Sequence, residues 1–130
     1  MENHFGVATK AIIKNQEGKY LVLFKSEIED INPNEIDIPG GRLEFGEDVE
    51  EGLKREIREE INLIINIEKP SRVWSLLKDD LHLVGITFLA TYVEGSINLS
   101  NEHNSCRWVT KEEILEGDYP KWIKKEFANL

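Results

Sequence analysis

The chain has 130 residues, 16 of them basic and 25 acidic, for a formal charge of −9, with 40% hydrophobic and 32% charged residues. That length suits one domain spanning 1–130, and the apolar content excludes a disordered chain. The acidic surplus excludes nucleic acid polymers and anionic membrane surfaces as bulk partners, because phosphate-rich surfaces select positive faces; small phosphorylated ligands bridged by a metal ion stay open.

Met1 to His4 has neither the basic nor the apolar stretch of a signal peptide, so none is expected. Val7 to Lys14 reads as a strand, Asn15-Gln16-Glu17-Gly18 as a turn, and Tyr20 to Lys25 as a second strand closing a hairpin. The apolar run Tyr20 to Phe24 is far too short to span a bilayer. Ser26 to Glu35 is a polar loop, Ile36-Asp37-Ile38 a short strand, and Pro39-Gly40-Gly41 a break. From Asp48 to Ile61 the apolar residues Val49, Leu53, Ile57 and Ile61 recur every four positions, predicting a helix with Asp48 as N-cap and Glu51 completing a capping box. Ile64 to Leu77 and Leu81 to Glu94 read as long strands around a Lys78-Asp79-Asp80 turn, and Arg107-Trp108-Val109 as a last short strand. Thr110 with Glu113 offers a second capping box, Gly117 a helix stop, and Pro120 the start of a third helix with Trp122, Ile123, Phe127 and Leu130 as its apolar stripe. Strands and helices interleave around a mostly β centre, which predicts an α/β (α+β) fold, a mixed sheet with helices on its faces. The single cysteine, Cys106, excludes an internal disulfide and makes a reducing cytoplasm the expected compartment. A homodimer is left open, since no segment specifies one.

The segment from Gly41 to Leu63 carries the chemistry. At about 100° per residue, Glu56, Glu59 and Glu60 share a sector roughly 100° wide, beside the apolar stripe and not opposite it. Three carboxylates at the edge of a core repel one another, and a hard divalent cation such as Mg²⁺ or Mn²⁺ removes the conflict. On the carboxylates alone, an ordinary surface helix of an acidic protein fits equally well. The surrounding residues favour the site. Arg55 follows Glu47 by eight positions, enough to tie the helix to the loop before it. Gly40 and Gly41 let the backbone pass close to whatever the carboxylates hold, with a bare carbonyl as a further oxygen ligand. Gly52 costs about 1 kcal/mol against alanine inside a helix and lies in the acidic sector, where a small residue leaves room for a neighbouring loop or ligand.

These residues resemble the Nudix box, G-x5-E-x7-R-E-U-x-E-E-x-G-U with U aliphatic: Gly41, Glu47, then Arg55-Glu56-Ile57-Arg58-Glu59-Glu60-Ile61-Asn62-Leu63. Asn62 stands where the family has glycine, and asparagine is the next residue to accept a left-handed C-cap. The resemblance implies an α/β/α sandwich and Mg²⁺- or Mn²⁺-dependent hydrolysis of a nucleoside diphosphate linked to another group. Residue by residue it implies Glu56, Glu59 and Glu60 as metal ligands and catalytic groups, helped by the Gly40 carbonyl, with Gly41, Glu47 and Arg55 as structural support.

The resemblance leaves the general base between a box glutamate and one on a later loop. Glu102 is the candidate for the second, though a solvated loop carboxylate is the plainer reading, and His103 is read as a loop residue. Lys25 resembles a phosphate-facing cation of MutT-like members, and a surface lysine fits as well. Asp118 is a candidate reader of a purine edge, with helix cap as the plainer reading. The proline expected of ADP-ribose members and the tyrosine of diadenosine polyphosphate members are absent around Leu77-Lys78-Asp79 and Leu81-His82, as is the NADH-type motif. That leaves the MutT-like expectation: a nucleoside triphosphate, oxidised purines included, cleaved to monophosphate and pyrophosphate. The alternatives are an ADP-ribose or nucleotide-sugar pyrophosphatase and a non-catalytic nucleotide-sensing module. An isopentenyl diphosphate isomerase needs a cysteine before the box, and Cys106 comes after it.

Overall fold

The computed structural model describes residues 3–25, 35–100 and 103–130. Its elements in chain order are β1 (His4–Lys14), β2 (Tyr20–Lys25), β3 (Ile36–Asp37), β4 (Gly40–Arg42), α1 (Val49–Ile61), β5 (Ile64–Lys78), β6 (Leu81–Glu94), β7 (His103–Val109), α2 (Lys111–Glu116) and α3 (Lys121–Phe127). The strands form a seven-stranded mixed sheet with central order β3-β2-β1-β6-β5, to which β4 adds against β1 and β7 against β2. β1 and β6 run parallel from His4↔Leu81 to Lys14↔Thr91; the other pairs are antiparallel.

Both faces of the sheet are covered, and the sequence shows why. Ile12 and Ile13 are adjacent and both buried, the signature of a strand packed on two sides. Ala11, Ile13, Leu21 and Leu23 meet Leu53, Ile57 and Ile61 of α1 on one face. Ile12, Val22 and Val109 meet Ile114 of α2 and Ile123 and Phe127 of α3 on the other. The expected arrangement of helices on both faces of a mixed sheet is thereby present.

The departures are local. Gly40 and Gly41 do not simply break the chain. They begin β4, which pairs Gly40 with Lys10 and Gly41 with Thr9. This short strand takes the place beside β1 that β2 vacates, because β2 touches β1 only near the turn, at Lys14↔Tyr20. Trp122 leaves the apolar stripe of α3 and stays 39% exposed, while Ile123 and Phe127 fill the core. Most of the polar loop 26–35 lies outside the described residues.

Both N-caps form, the first without the Glu51 side-chain half of the expected capping box. Asp48 accepts the Glu51 N–H at 3.1 Å, and Thr110 and Glu113 complete a reciprocal capping box. Asn62 ends α1 at φ 61°, ψ 36°, its N–H on the Arg58 carbonyl and its side chain donating to the Ser96 carbonyl at 3.1 Å. Asn62→Gly should keep the cap and lose only that side-chain bond. Asn62→Val, forced into the left-handed region with a branched side chain, should be less stable than the glycine variant by about 1–2 kcal/mol in urea unfolding. Equal stability of the two would remove the left-handed cap.

Candidate active site

The loop between β4 and α1 is held by one carboxylate. Glu47 accepts the Glu44 N–H at 2.9 Å through one oxygen, which also takes Arg55 Nη2 at 3.0 Å. Its second oxygen takes Arg55 Nε at 2.5 Å. This two-pronged pair ties the loop to the middle of α1, as the spacing predicts. The Arg55 hydrogen bond, helped by the Glu44 N–H, holds the Glu47 carboxyl down at about 2. Glu47 in turn pushes the Arg55 guanidinium up. Gly52 sits where loop and helix touch, and a β-carbon there would lie 2.4 Å from Leu43 Cδ2 and 2.9 Å from Glu47 Cδ. The small residue expected in that sector makes room for this loop.

The three box glutamates of α1 differ in environment. Glu60 is only 7% exposed, and its Oε1 accepts the Gly40 N–H at 3.1 Å. The Glu56 carboxylate lies over Gly41, where an added β-carbon would come within 2.4 Å of Oε2. Glu59 is exposed. Arg55 reaches both Glu56, at 3.1 Å, and Glu59, at 3.0 Å. Gly40 adopts φ 149°, with the space of its missing side chain filled by the Thr9 carbonyl, so the turn into β4 admits no other residue without a shift.

Among the described residues no three His, Cys, Asp or Glu side chains form a ready-made metal cage; Arg55 pairs with Glu56 and Glu59, while Glu60 accepts the Gly40 N–H. One expectation comes out differently. Asp118 caps nothing, since α3 starts at Pro120 without a side-chain cap, and Asp118 is exposed. Lys25 closes β2, where the register with β7 shifts, and its N–H donates to the Glu35 carbonyl at 2.8 Å. Glu102 lies outside the described residues, as does the side chain of His103. The segment leading to Glu102 is moored to the site, with the Ser100 N–H on the Glu60 carbonyl at 2.9 Å.

One residue escaped the sequence reading. Lys10, on β1 opposite Gly40, donates to Asp37 Oδ1 at 2.8 Å and to the Ile38 carbonyl at 3.1 Å. Burial works to lower its pKa, but Asp37, with smaller help from Glu60 and Glu126, outweighs burial and raises it. Its Nζ lies 5.8 Å from the Trp122 ring centroid. The signal was present as a lysine inside the apolar run Ala8 to Ile13, where a charge must find a partner.

Residues 4–130 match the NUDIX domain. The chain is a MutT-like Nudix hydrolase. It is 26% identical over 121 residues to nucleoside triphosphatase NudI of Escherichia coli, covering 82% of this chain and 83% of that one. Its fold is similar to a MutT protein from Methanosarcina mazei Go1, with a TM-score of 0.88 and 28% identity over 99% of this chain and 94% of the other. A Caenorhabditis elegans Ap4A hydrolase shares the fold at TM-score 0.77 and 19% identity, covering 95% and 93%.

The depressed Glu47 carboxyl gives the loop–helix clamp a pH signature. A carboxyl at 4.5 when unfolded and about 2 when folded stabilises the fold above 4.5, and that contribution drains away as pH falls towards 2. Glu47→Gln lacks it. The stability gap between parent and variant in urea unfolding should be constant above 4.5 and close towards pH 2. A gap that does not change with pH would mean the clamp is not ionic.

Proposed function

We propose that the chain hydrolyses nucleoside triphosphates to monophosphate and pyrophosphate with Mg²⁺ or Mn²⁺, through Glu56, Glu59 and Glu60 of a single domain spanning 1–130. The observation that carries the reading is Glu60, a carboxylate nearly buried at the junction of α1 and β4, beside Glu56 packed over Gly41. Burial without an ionic purpose is unfavourable for such a group. The donor set fits a hard divalent cation: all oxygens, one fixed by a backbone N–H and two on Arg55 pairs that a rotamer change releases. A cation held there would offset the charge of the diphosphate and acidify the attacking water. Glu47 and Arg55 hold the loop against the helix, so that the carboxylates face a fixed backbone. Glu102, following the segment moored on Glu60, is the proposed general base, and Lys25 the proposed phosphate contact. The half-exposed Trp122, next to Lys10, offers a flat face for a nucleobase, and Asp118 is the proposed reader of its edge. The choice of triphosphates is supported by NudI, a nucleoside triphosphatase, and by the missing markers of other subclasses.

Pyrophosphate and phosphate release from nucleoside triphosphates, oxidised purine triphosphates, ADP-ribose and dinucleoside polyphosphates tests the substrate class. Triphosphates should lead the panel, releasing pyrophosphate only when Mg²⁺ or Mn²⁺ is present. A clear preference for ADP-ribose would overturn that choice while leaving the hydrolase assignment intact.

Glu60→Gln keeps the shape and the acceptor for the Gly40 N–H but removes a charge. Turnover should fall by a factor on the order of 10²–10⁴. Without metal the variant should be at least as stable as the parent, by about 0–2 kcal/mol, because like charges are relieved. Added Mg²⁺ should raise the melting temperature of the parent more than that of the variant. Near-parental turnover would remove Glu60 from the site.

A further inference from the structure

Thr9 is fully buried in β1, on the face of the sheet that α1 covers. It lies opposite Gly41 of β4 and Ile86 of β6, and Ile86 packs against the core that Leu53 and Ile57 of α1 enter. Its Oγ1 has no hydrogen-bond partner among the described residues. Further along the same face of the strand, Ala11 and Ile13 are apolar. A β-branched residue suits a strand, but valine supplies that shape without a hydroxyl that burial penalises. An unpaired buried group of this kind is explained by what it faces.

Thr9 faces the box. Directly opposed residues of an antiparallel pair project to the same side, with β-carbons about 4.5–5.5 Å apart. At Gly41, the residue opposite, a β-carbon would strike the Glu56 carboxylate. The place of a side chain at Gly41 is thus taken by Glu56, which sets its carboxylate beside the Thr9 hydroxyl across one ladder pair. Arg55 is a shared donor to that carboxylate. Its Nη2, 3.1 Å from Glu56 Oε1, also meets Glu47 Oε1 at 3.0 Å and the Arg42 carbonyl at 3.4 Å, with two protons for three oxygens. A carboxylate that holds a cation is itself held by a donor behind it, and losing that donor costs about 10–100-fold in metal affinity or activity. Glu60 has such a donor in the Gly40 N–H.

We propose that Thr9 is a positioning residue whose hydroxyl holds the Glu56 carboxylate for a divalent cation, an inference that rests on the metal role proposed for Glu56. The hydroxyl takes over the carboxylate when a cation draws it from Arg55, and goes without a partner otherwise. Thr9→Val keeps the shape and Thr9→Ser keeps the hydroxyl, so the two variants separate packing from hydrogen bonding. Without metal, Thr9→Val should melt at or above the parent, by up to about 6 °C, and Thr9→Ser below it. Function should rank the other way. The Mg²⁺ concentration needed for a given rise in melting temperature, and that for half-maximal turnover, should both increase about 10-fold in Thr9→Val. In Thr9→Ser both should stay within about threefold of the parent, and the nucleotide KM at saturating Mg²⁺ should be unchanged in either variant. A purely structural threonine would make the Mg²⁺ response follow stability instead. A valine variant less stable than the parent, equal Mg²⁺ responses in parent and Thr9→Val, or a serine variant as impaired as valine would each overturn the inference and leave Glu56 as a ligand. A parent whose melting temperature neither Mg²⁺ nor Mn²⁺ raises would overturn the metal role of Glu56, and the inference with it.

Discussion

Lys10 is the direct partner of the buried Asp37, while Arg72 is the ion-pair partner of the buried Glu126. Asp37, Glu60 and Glu126 are the buried acids, and the charge of Lys10 is held up by all three, Asp37 most directly. They come from different elements: Asp37 from β3, Glu60 from α1 and Glu126 from α3. One ammonium in the middle of β1 thus serves both faces of the sheet. Its neighbour across the ladder is Gly40, whose N–H donates to Glu60. Without that cation, the buried Asp37 would lose the ammonium that offsets its desolvation, which favours giving up its charge. Glu126 already shows the tendency, its carboxyl pushed up by burial against the opposing pull of Thr87, Arg72 and Lys10.

The same economy of space governs the loop before α1. Gly52 and Gly41 are both sites where a methyl group would strike a carboxylate, that of Glu47 in one case and Glu56 in the other. The helix accepts a glycine that propensity disfavours because loop and helix must touch there. Packing has overridden local preference where the chain brings charges together.

What the sequence made legible was what depends on spacing along one element. The carboxylate sector, the reach from Glu47 to Arg55, the small residue at Gly52, the caps at Asp48 and Thr110, and the left-handed Asn62 all follow from helix geometry over a few turns. The illegible parts depend on pairing between distant segments. β4 is three residues long and exists because β2 diverges from β1, which no local pattern encodes. Trp122 counts as apolar on a helical wheel, yet the wheel does not know that Lys10 waits beside it. The scatter of the three box glutamates was likewise hidden, since it is set by Arg55, itself identified only as a tether for the loop.

Two cations therefore divide the acidic groups in different ways. Lys10 is nearly enclosed and its partners are fixed: Asp37 and Glu60 each hold a backbone N–H as well. Arg55 is a quarter exposed and faces Glu44, Glu47, Glu56 and Glu59 at once. Its two-pronged bond to Glu47 is geometrically specific, whereas its contacts with Glu56 and Glu59 are single ion pairs near solvent, of a kind worth about 0–1 kcal/mol. Those two carboxylates are restrained without being committed. Glu60 is buried and fixed to the sheet through the Gly40 N–H, while Glu56 and Glu59 stay nearer solvent on single Arg55 pairs. Tight restraint where the backbone is approached and looser restraint near solvent are thus built from the same residue type, separated by how deeply each counter-charge is buried.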